Sequence, residues 1–298
     1  MSAEVWFQAD NLNKLLFTHI IPNHLQEELI MTITEKNCFI YEKAIEYLWE
    51  HSQGLTQKIL DTYLDNNRKK TMNEVFETAV YSFRDWNPQF GKSGITENEE
   101  KIKSLFKDFD VYYFNQNIAT LPANELDELF RKAFAGSNDA YKKVKENICC
   151  TAKYLSEFQS TTEMYAYFDS FDSTKKEERN KLIRLIANRI KWWGVALVSN
   201  WLKDIGMSNY SKPDEHVIYI ISNLGLSSDD EYDVIEAVFR IAEDYKSIDS
   251  EASAFKLDRL LWLIGSKSRF YNHKGIVSFN GNRNEFVEIV KSELSNMY

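Results

Sequence analysis

At 298 residues the chain is long enough to bury the core of one large domain or two modest ones. A hydrophobic content of 44% with 14% aromatics excludes a disordered chain, and only 10 Gly and 4 Pro favour long helices with short connections over a sandwich of strands. A net charge of −9 argues against a generic nucleic-acid binder, and no apolar run reaches membrane length.

The N-terminus lacks a basic region followed by an apolar stretch, so no signal peptide is expected. Residues 13–21 form a short apolar segment closed by Pro22, and 25–33 follow. Ala44, Ile45, Leu48 and Trp49 share a stripe at helical spacing, which predicts a helix over 40–49 ended by Gly54. Helices are predicted over 55–64 and 72–83, separated by the polar loop 65–70. The stretch 87–100 combines Pro, Gly and polar residues and then restarts a helix with acids in its first turn, which places a domain boundary at 95/96. A helix over 101–109 precedes the aromatic run 111–115, read as core filling. Asn124 reads as the N-cap of a helix ending near Gly136. Further helices are predicted over 139–158 and 162–168, and over 175–189 with Thr174 as cap. Beyond 226 come a helix from 229–233 to about 246 and an apolar one over 252–264 with Gly265 as its stop. A weak extended run over 276–279 and a last helix over 286–294 end the chain.

The three cysteines, Cys38 and the adjacent Cys149 and Cys150, fit neither a disulfide framework nor a zinc or iron–sulfur site. They read as idle thiols in a reducing cytosol, so the expected location is cytoplasmic. The five histidines form no ligand set, no phosphate-cradling or nucleophile-elbow motif is present, and no metal or other cofactor is expected.

Lys175, Lys176, Arg179, Lys181, Arg184, Arg189, Lys191 and Lys203 crowd around one stretch, residues 190–226. Clustering of this kind is usually a solvated helix face, but it can also meet a phosphate backbone. Within the stretch, Trp193–Gly194 makes a hairpin-like turn and an amphipathic helix follows, stopped by Gly206. Pro213 then pushes Lys212 out of helical space, and Asp214 sits at the head of a helix that Gly225 ends. On spacing alone Asp214 is a cap contributing about 1 kcal/mol.

The segments around Gly194 and over Pro213-Asp214-Glu215-His216-Val217 resemble the helix-hairpin-helix DNA glycosylases, in which a hairpin is followed by a helix, a loop and an aspartate at the head of the next helix. The similarity covers residues 179–226 well and 257–265 loosely; residues 1–95 show no relative. It implies an all-α fold: a helix-hairpin-helix glycosylase-like domain over 96–298 with an additional N-terminal helical region over 1–95. It also implies Asp214 as the carboxylate that stabilises positive charge on the deoxyribose while water displaces the base. Family members often carry a glycine where Trp192 stands, which makes the hairpin bulkier here. Members that also cut the strand carry a lysine where Ala196 stands, so the resemblance implies a monofunctional enzyme.

The implied partner is double-stranded DNA holding a damaged or modified base, including a modified base in foreign DNA as in defence against phage. The implied DNA-contacting residues are Arg189, Lys191, Trp192, Trp193, Gly194, Val195, Ala196, Lys212 and His216. The competing reading is a non-catalytic DNA- or protein-binding module on the same scaffold, with Asp214 only a cap.

Overall fold

The helices begin where polar side chains can accept the first free backbone N–H groups. Thr32 with Glu35 and Thr71 with Glu74 form reciprocal capping boxes, and Ser160, Asp214, Asp230, Ser253 and Asn282 each cap one further helix. A computed structural model describes residues 32–83, 95, 98–134, 140–266 and 276–297. Among these the fold is all-α, with one two-stranded exception.

In chain order come α1 (Ile33–His51), β1 (Ser52–Gln53), α2 (Gln57–Tyr63), α3 (Met72–Ser82), α4 (Glu99–Leu105), α5 (Val111–Tyr113), running into a π-helical turn (Phe114–Ile118), and α6 (Ala123–Ala133). Then follow α7 (Ala140–Leu155), α8 (Thr161–Asp169), α9 (Lys176–Arg189), α10 (Val195–Asp204), α11 (Glu215–Asn223), α12 (Glu231–Tyr245), α13 (Ala254–Gly265), β2 (Ser278–Phe279) and α14 (Arg283–Asn296). The extended run near 276–279 is β2, antiparallel to β1, with Ser52 opposite Phe279.

Three local expectations change. α6 starts at Ala123 behind Pro122, not at an Asn124 cap; a proline suits this position because a helix start needs no N–H from it. Thr174 turns its hydroxyl back onto Asp172, so Lys175 holds the cap position of α9 and gives it no side-chain cap. Gly265 ends α13 with an ordinary backbone and serves another purpose, described below. The predicted segment 13–21, most of 25–33 and most of the predicted boundary stretch 87–100 lie outside the described residues.

Buried side chains gather into two cores. One is built from residues of α3 to α10, with Phe76, Phe106, Phe114, Phe130, Trp193 and Trp201 among its large members. The other joins α1 and α2 to α11 through α14, through residues such as Tyr41, Leu48, Ile220, Val238 and Leu260. The second core is therefore discontinuous in sequence: residues 40–60 contribute to it together with 217–294, while residues 72–83 belong to the first.

The chain passes between the cores twice among the described residues, at 65–71 and at 205–216, and the two passages are fastened together. Lys69 donates to the Tyr165 hydroxyl at 3.0 Å, and that hydroxyl donates to the Ile205 carbonyl at 2.6 Å. Gly206, at φ +99°, lies so close to the first passage that a Cβ there would stand 2.6 Å from the Arg68 Cα. Only glycine meets both demands at that position.

Candidate active site

The hairpin between α9 and α10 forms because Ile190 leaves the helix extended and Trp192 takes a left-handed backbone, φ +67°, before Gly194 caps α10. It is Trp192, rather than Gly194, that carries the unusual backbone angle. Asn147 on α7 holds the turn by donating to the Lys191 carbonyl at 2.8 Å. Trp193 is buried against Trp201, their rings 5.4 Å apart, so it serves the core. Trp192 is 43% exposed; its indole N–H donates to Glu146 at 2.9 Å, and Lys143 lies 4.8 Å over its ring.

The basic residues expected to meet phosphate are paired within the chain. Arg189 is ion-paired to Glu157, and Lys191 stands 3.8 Å from Glu146. At the N-terminus of α10, Val195 and Ala196 are half-buried, and the Glu231 carboxyl group lies near the Ala196 backbone. Burial raises that carboxyl's pKa, Asp230 adds to the rise, and the nearby Ala196 N–H opposes it. An acidic side chain of the protein thus already stands near the end of the hairpin helix.

Asp214 is half-buried at the head of α11, and its Oδ1 accepts from the His216 and Val217 N–H groups at 3.0 and 3.1 Å. Pro213 before it is buried, and the Asp214 N–H donates to the Lys212 carbonyl at 2.8 Å, so the approach to the helix is a tight bend. His216 is held by its neighbours: Arg283 lies 2.9 Å from Nδ1, and a Cβ on Gly265 would fall 2.4 Å from the His216 Cβ. Gly265 is therefore required by the close approach of His216, and the geometry gives His216 a packing role rather than a free surface.

Beside this bend lies a cavity of about 240 Å³ between the two cores, walled by α3, α10 and α13 and by Lys212. Asn200, Lys203 and Asp204 of α10 face it, one and two turns after Ala196 on the same side of the helix. Asp258, Arg259 and Trp262 face it from α13, and Thr78, Tyr81 and Ser82 from α3. The Lys203 side chain, 4% exposed, lies 3.1 Å from Asp204 and 3.4 Å from Asp258. Arg259 donates to Asp204 at 2.9 Å.

The two carboxyl groups shift in opposite directions. Burial raises Asp258, against the opposing charge of Lys203 and with added repulsion from Asp214. Burial also pushes Asp204 upward, but Lys203 and Arg259 outweigh it and hold Asp204 below its ordinary value. Separated titrations within one cavity are a feature of sites that move protons, although ion-pair networks also produce them.

The structure brings Asp214, Lys212 and His216 together at the bend, and residues 189–196 together at the hairpin. Apart from Lys203 and Lys212, the cavity residues escaped the sequence reading. One signal was available: Asp258 interrupts the apolar run of 255–264, and an acid on the buried side of a helix needs partners. Among the described residues no group of three or more His, Cys, Asp or Glu side chains is arranged to hold a metal ion, and no helix is long and apolar enough to cross a membrane. No family model, curated protein or solved structure matches the chain.

Proposed function

We propose that the protein is a monofunctional DNA glycosylase that uses Asp214 to release a damaged or modified base from double-stranded DNA. The observation that carries this reading is the position of Asp214. It heads a helix two residues after Lys212, which lines a polar, base-sized cavity between the two helical cores, and its charge acts on Asp258, which lines that cavity too. The hairpin adds support. The residue with a left-handed backbone is Trp192, the place where helix-hairpin-helix glycosylases often carry a glycine.

In this reading an extruded nucleotide places its base in the cavity and its C1′ over Asp214. Oδ1 is tied to two backbone N–H groups, which leaves Oδ2 as the oxygen to act on the sugar. The C1′–N bond breaks, its electron pair leaves with the base, and the carboxylate stabilises the positive charge on C1′ and the ring oxygen. Water then adds to C1′ and gives its proton to Asp214, and that proton passes through solvent to the departed base, which restores the carboxylate. Ala196 supplies no amine for a Schiff base. Lys203, the buried amine in the cavity, is tied to Asp204 and Asp258.

DNA must compete with the protein's own carboxylates for Arg189 and Lys191, so binding is weak at physiological salt and falls steeply as salt rises. The same pairing, with Glu231 near the Ala196 backbone, is the observation favouring the second reading, a helical binding module in which Asp214 only caps α11. Incubation with genomic DNAs of differing modification, followed by scoring of abasic sites, separates the two. The glycosylase produces abasic sites in at least one DNA, and the module in none.

A further inference from the structure

Asp258 takes no part in the reaction described above, yet it is a buried acid within the apolar helix α13. A carboxylate taken out of water costs stability, so its partners indicate what it is for. Its Oδ1 accepts from the Lys212 backbone N–H at 2.5 Å, and its Oδ2 stands 3.4 Å from the Lys203 ammonium.

Lys212 lies outside any helix, between the buried residues Ser211 and Pro213. A main-chain N–H in such a place needs an acceptor within the protein. The Asp258 oxygen supplies it and so fixes where residue 212 lies. The Asp214 N–H donates in turn to the Lys212 carbonyl at 2.8 Å, which ties the catalytic candidate to that fixed point. α13 guides the same loop at two further places. The Phe255 N–H donates to the Ser208 carbonyl at 2.9 Å ahead of the bend, and Gly265, with no Cβ, admits His216 beyond it. Asp258, Trp262 and Gly265, at spacings of four and three, share one side of α13. The loop from Ser208 to Asp214 and the first turn of α11 therefore run along α13, and Asp258 is where a side chain of that helix bonds the loop.

We infer that Asp258 is a positioning residue for Asp214: through the Lys212 N–H it sets the place of the 212–214 bend, and with it the place of the carboxylate that acts on the deoxyribose. The inference rests on the glycosylase reading. Asp258 works through the backbone and forms no bond to sugar or base. A catalytic group misplaced by about 1 Å can lose ~100-fold in rate, so a bond two residues away is close enough to matter.

The test separates the hydrogen bond from the charge. Lys203→Met removes the buried ammonium, and in that background Asp258→Asn and Asp258→Leu are both neutral; asparagine keeps an oxygen for the Lys212 N–H and leucine does not. Replacing a buried charge pair by apolar side chains is tolerated by many folds, and melting temperatures check it here. Full-length wild type is first incubated with genomic DNA that has been methylated, deaminated or oxidised, and the sample that gains most abasic sites is the substrate. Base release is then followed with protein in excess, which yields a maximal rate and a half-saturating protein concentration. The leucine double variant is expected to have a maximal rate at least ~10-fold below that of the asparagine one, with half-saturation within ~3-fold.

Equal maximal rates, or a loss confined to half-saturation, overturns the positioning role and leaves the glycosylase reading standing. A second comparison holds even if the leucine variant does not fold. Asp258→Asn alone keeps the bond and is expected to lose no more than ~10-fold, against at least ~100-fold for Asp214→Asn; an equal loss in the two overturns the positioning role. No abasic sites from wild type on any of these DNAs removes the glycosylase reading and this role with it.

Discussion

The Lys212 backbone N–H donates to Asp258 Oδ1 at 2.5 Å, so a carboxylate buried on α13 holds the bend that delivers Asp214 to the head of α11. Asp258 also faces Lys203, and one side chain therefore joins the bend, the cavity and the second core. Asp258→Ala strips Lys203 of one of its two carboxylate partners in a buried position, and a loss of about 3–5 kcal/mol is expected in urea unfolding. A loss under ~1 kcal/mol would mean that the cluster contributes little to holding the cores together.

The opposite shifts of Asp258 and Asp204 give a signed pH dependence. Native Asp258 keeps its proton above the ordinary value of 3.8, so in the window from 3.8 up to its raised pKa the folded chain binds more protons than the unfolded one. Stability falls as pH rises through that window. Native Asp204 loses its proton below 3.8, so its contribution is present above 3.8 and is lost as pH falls through its lowered pKa. Asp258→Asn deletes the upper window alone. The stability of wild type minus variant, followed by thermal unfolding against pH, declines above 3.8; a flat difference would contradict the assignment.

Gly265→Ala places a Cβ against His216, at 2.4 Å from its Cβ, and the ring must move. Because His216 is in the first turn of α11, beside the N–H groups that Asp214 accepts from, the displacement reaches the site. The expected cost is about 1–3 kcal/mol in stability, with base release lowered as well. An unchanged melting temperature would show that the ring has somewhere to go.

At the hairpin, Glu231→Gln removes a negative charge from the N-terminus of α10. Non-specific duplex binding, measured by anisotropy at low salt, tightens several-fold in the variant if the hairpin meets phosphate. No change would place the hairpin away from DNA. Trp192→Gly replaces a left-handed non-glycine, φ +67°, and relieves roughly 1–2 kcal/mol of backbone strain, set against the lost contacts to Glu146 and Lys143. The variant is expected to melt no lower than the parent; a clear drop would show that the indole contacts outweigh the strain.

What the sequence made legible is local. Gly206 and Gly225 do take the left-handed angles that stop their helices, at φ +99° and +70°, and Asp214 does cap α11, because these demands are met by a residue and its near neighbours. Trp192 escaped this logic, since nothing in a tryptophan announces a positive φ; the turn is imposed by the anchoring of Lys191 to Asn147 and of Trp193 to Trp201. The cavity was illegible for a different reason. Ser82, Lys203 and Asp258 are far apart in the chain and meet only where α3 and α10 of the first core face α13 of the second. The paired state of Arg189 and Lys191 is likewise a tertiary fact: Glu157 and Glu146 come from elsewhere, and a count of local basic residues misses them.

The central claim is that the Asp214 carboxylate acts on a deoxyribose and is more than a cap. Asparagine caps helices about as well as aspartate, so Asp214→Asn separates the two roles, whereas alanine would also cost about 1 kcal/mol of stability. The decisive measurement is abasic-site formation by wild type and Asp214→Asn on the same modified DNA, with borohydride present in a parallel sample. The account predicts abasic sites from the wild type, a rate lower by at least ~100-fold in the equally stable variant, and no borohydride-trapped adduct from either. Equal rates from the two proteins, or a trapped covalent adduct, would contradict it.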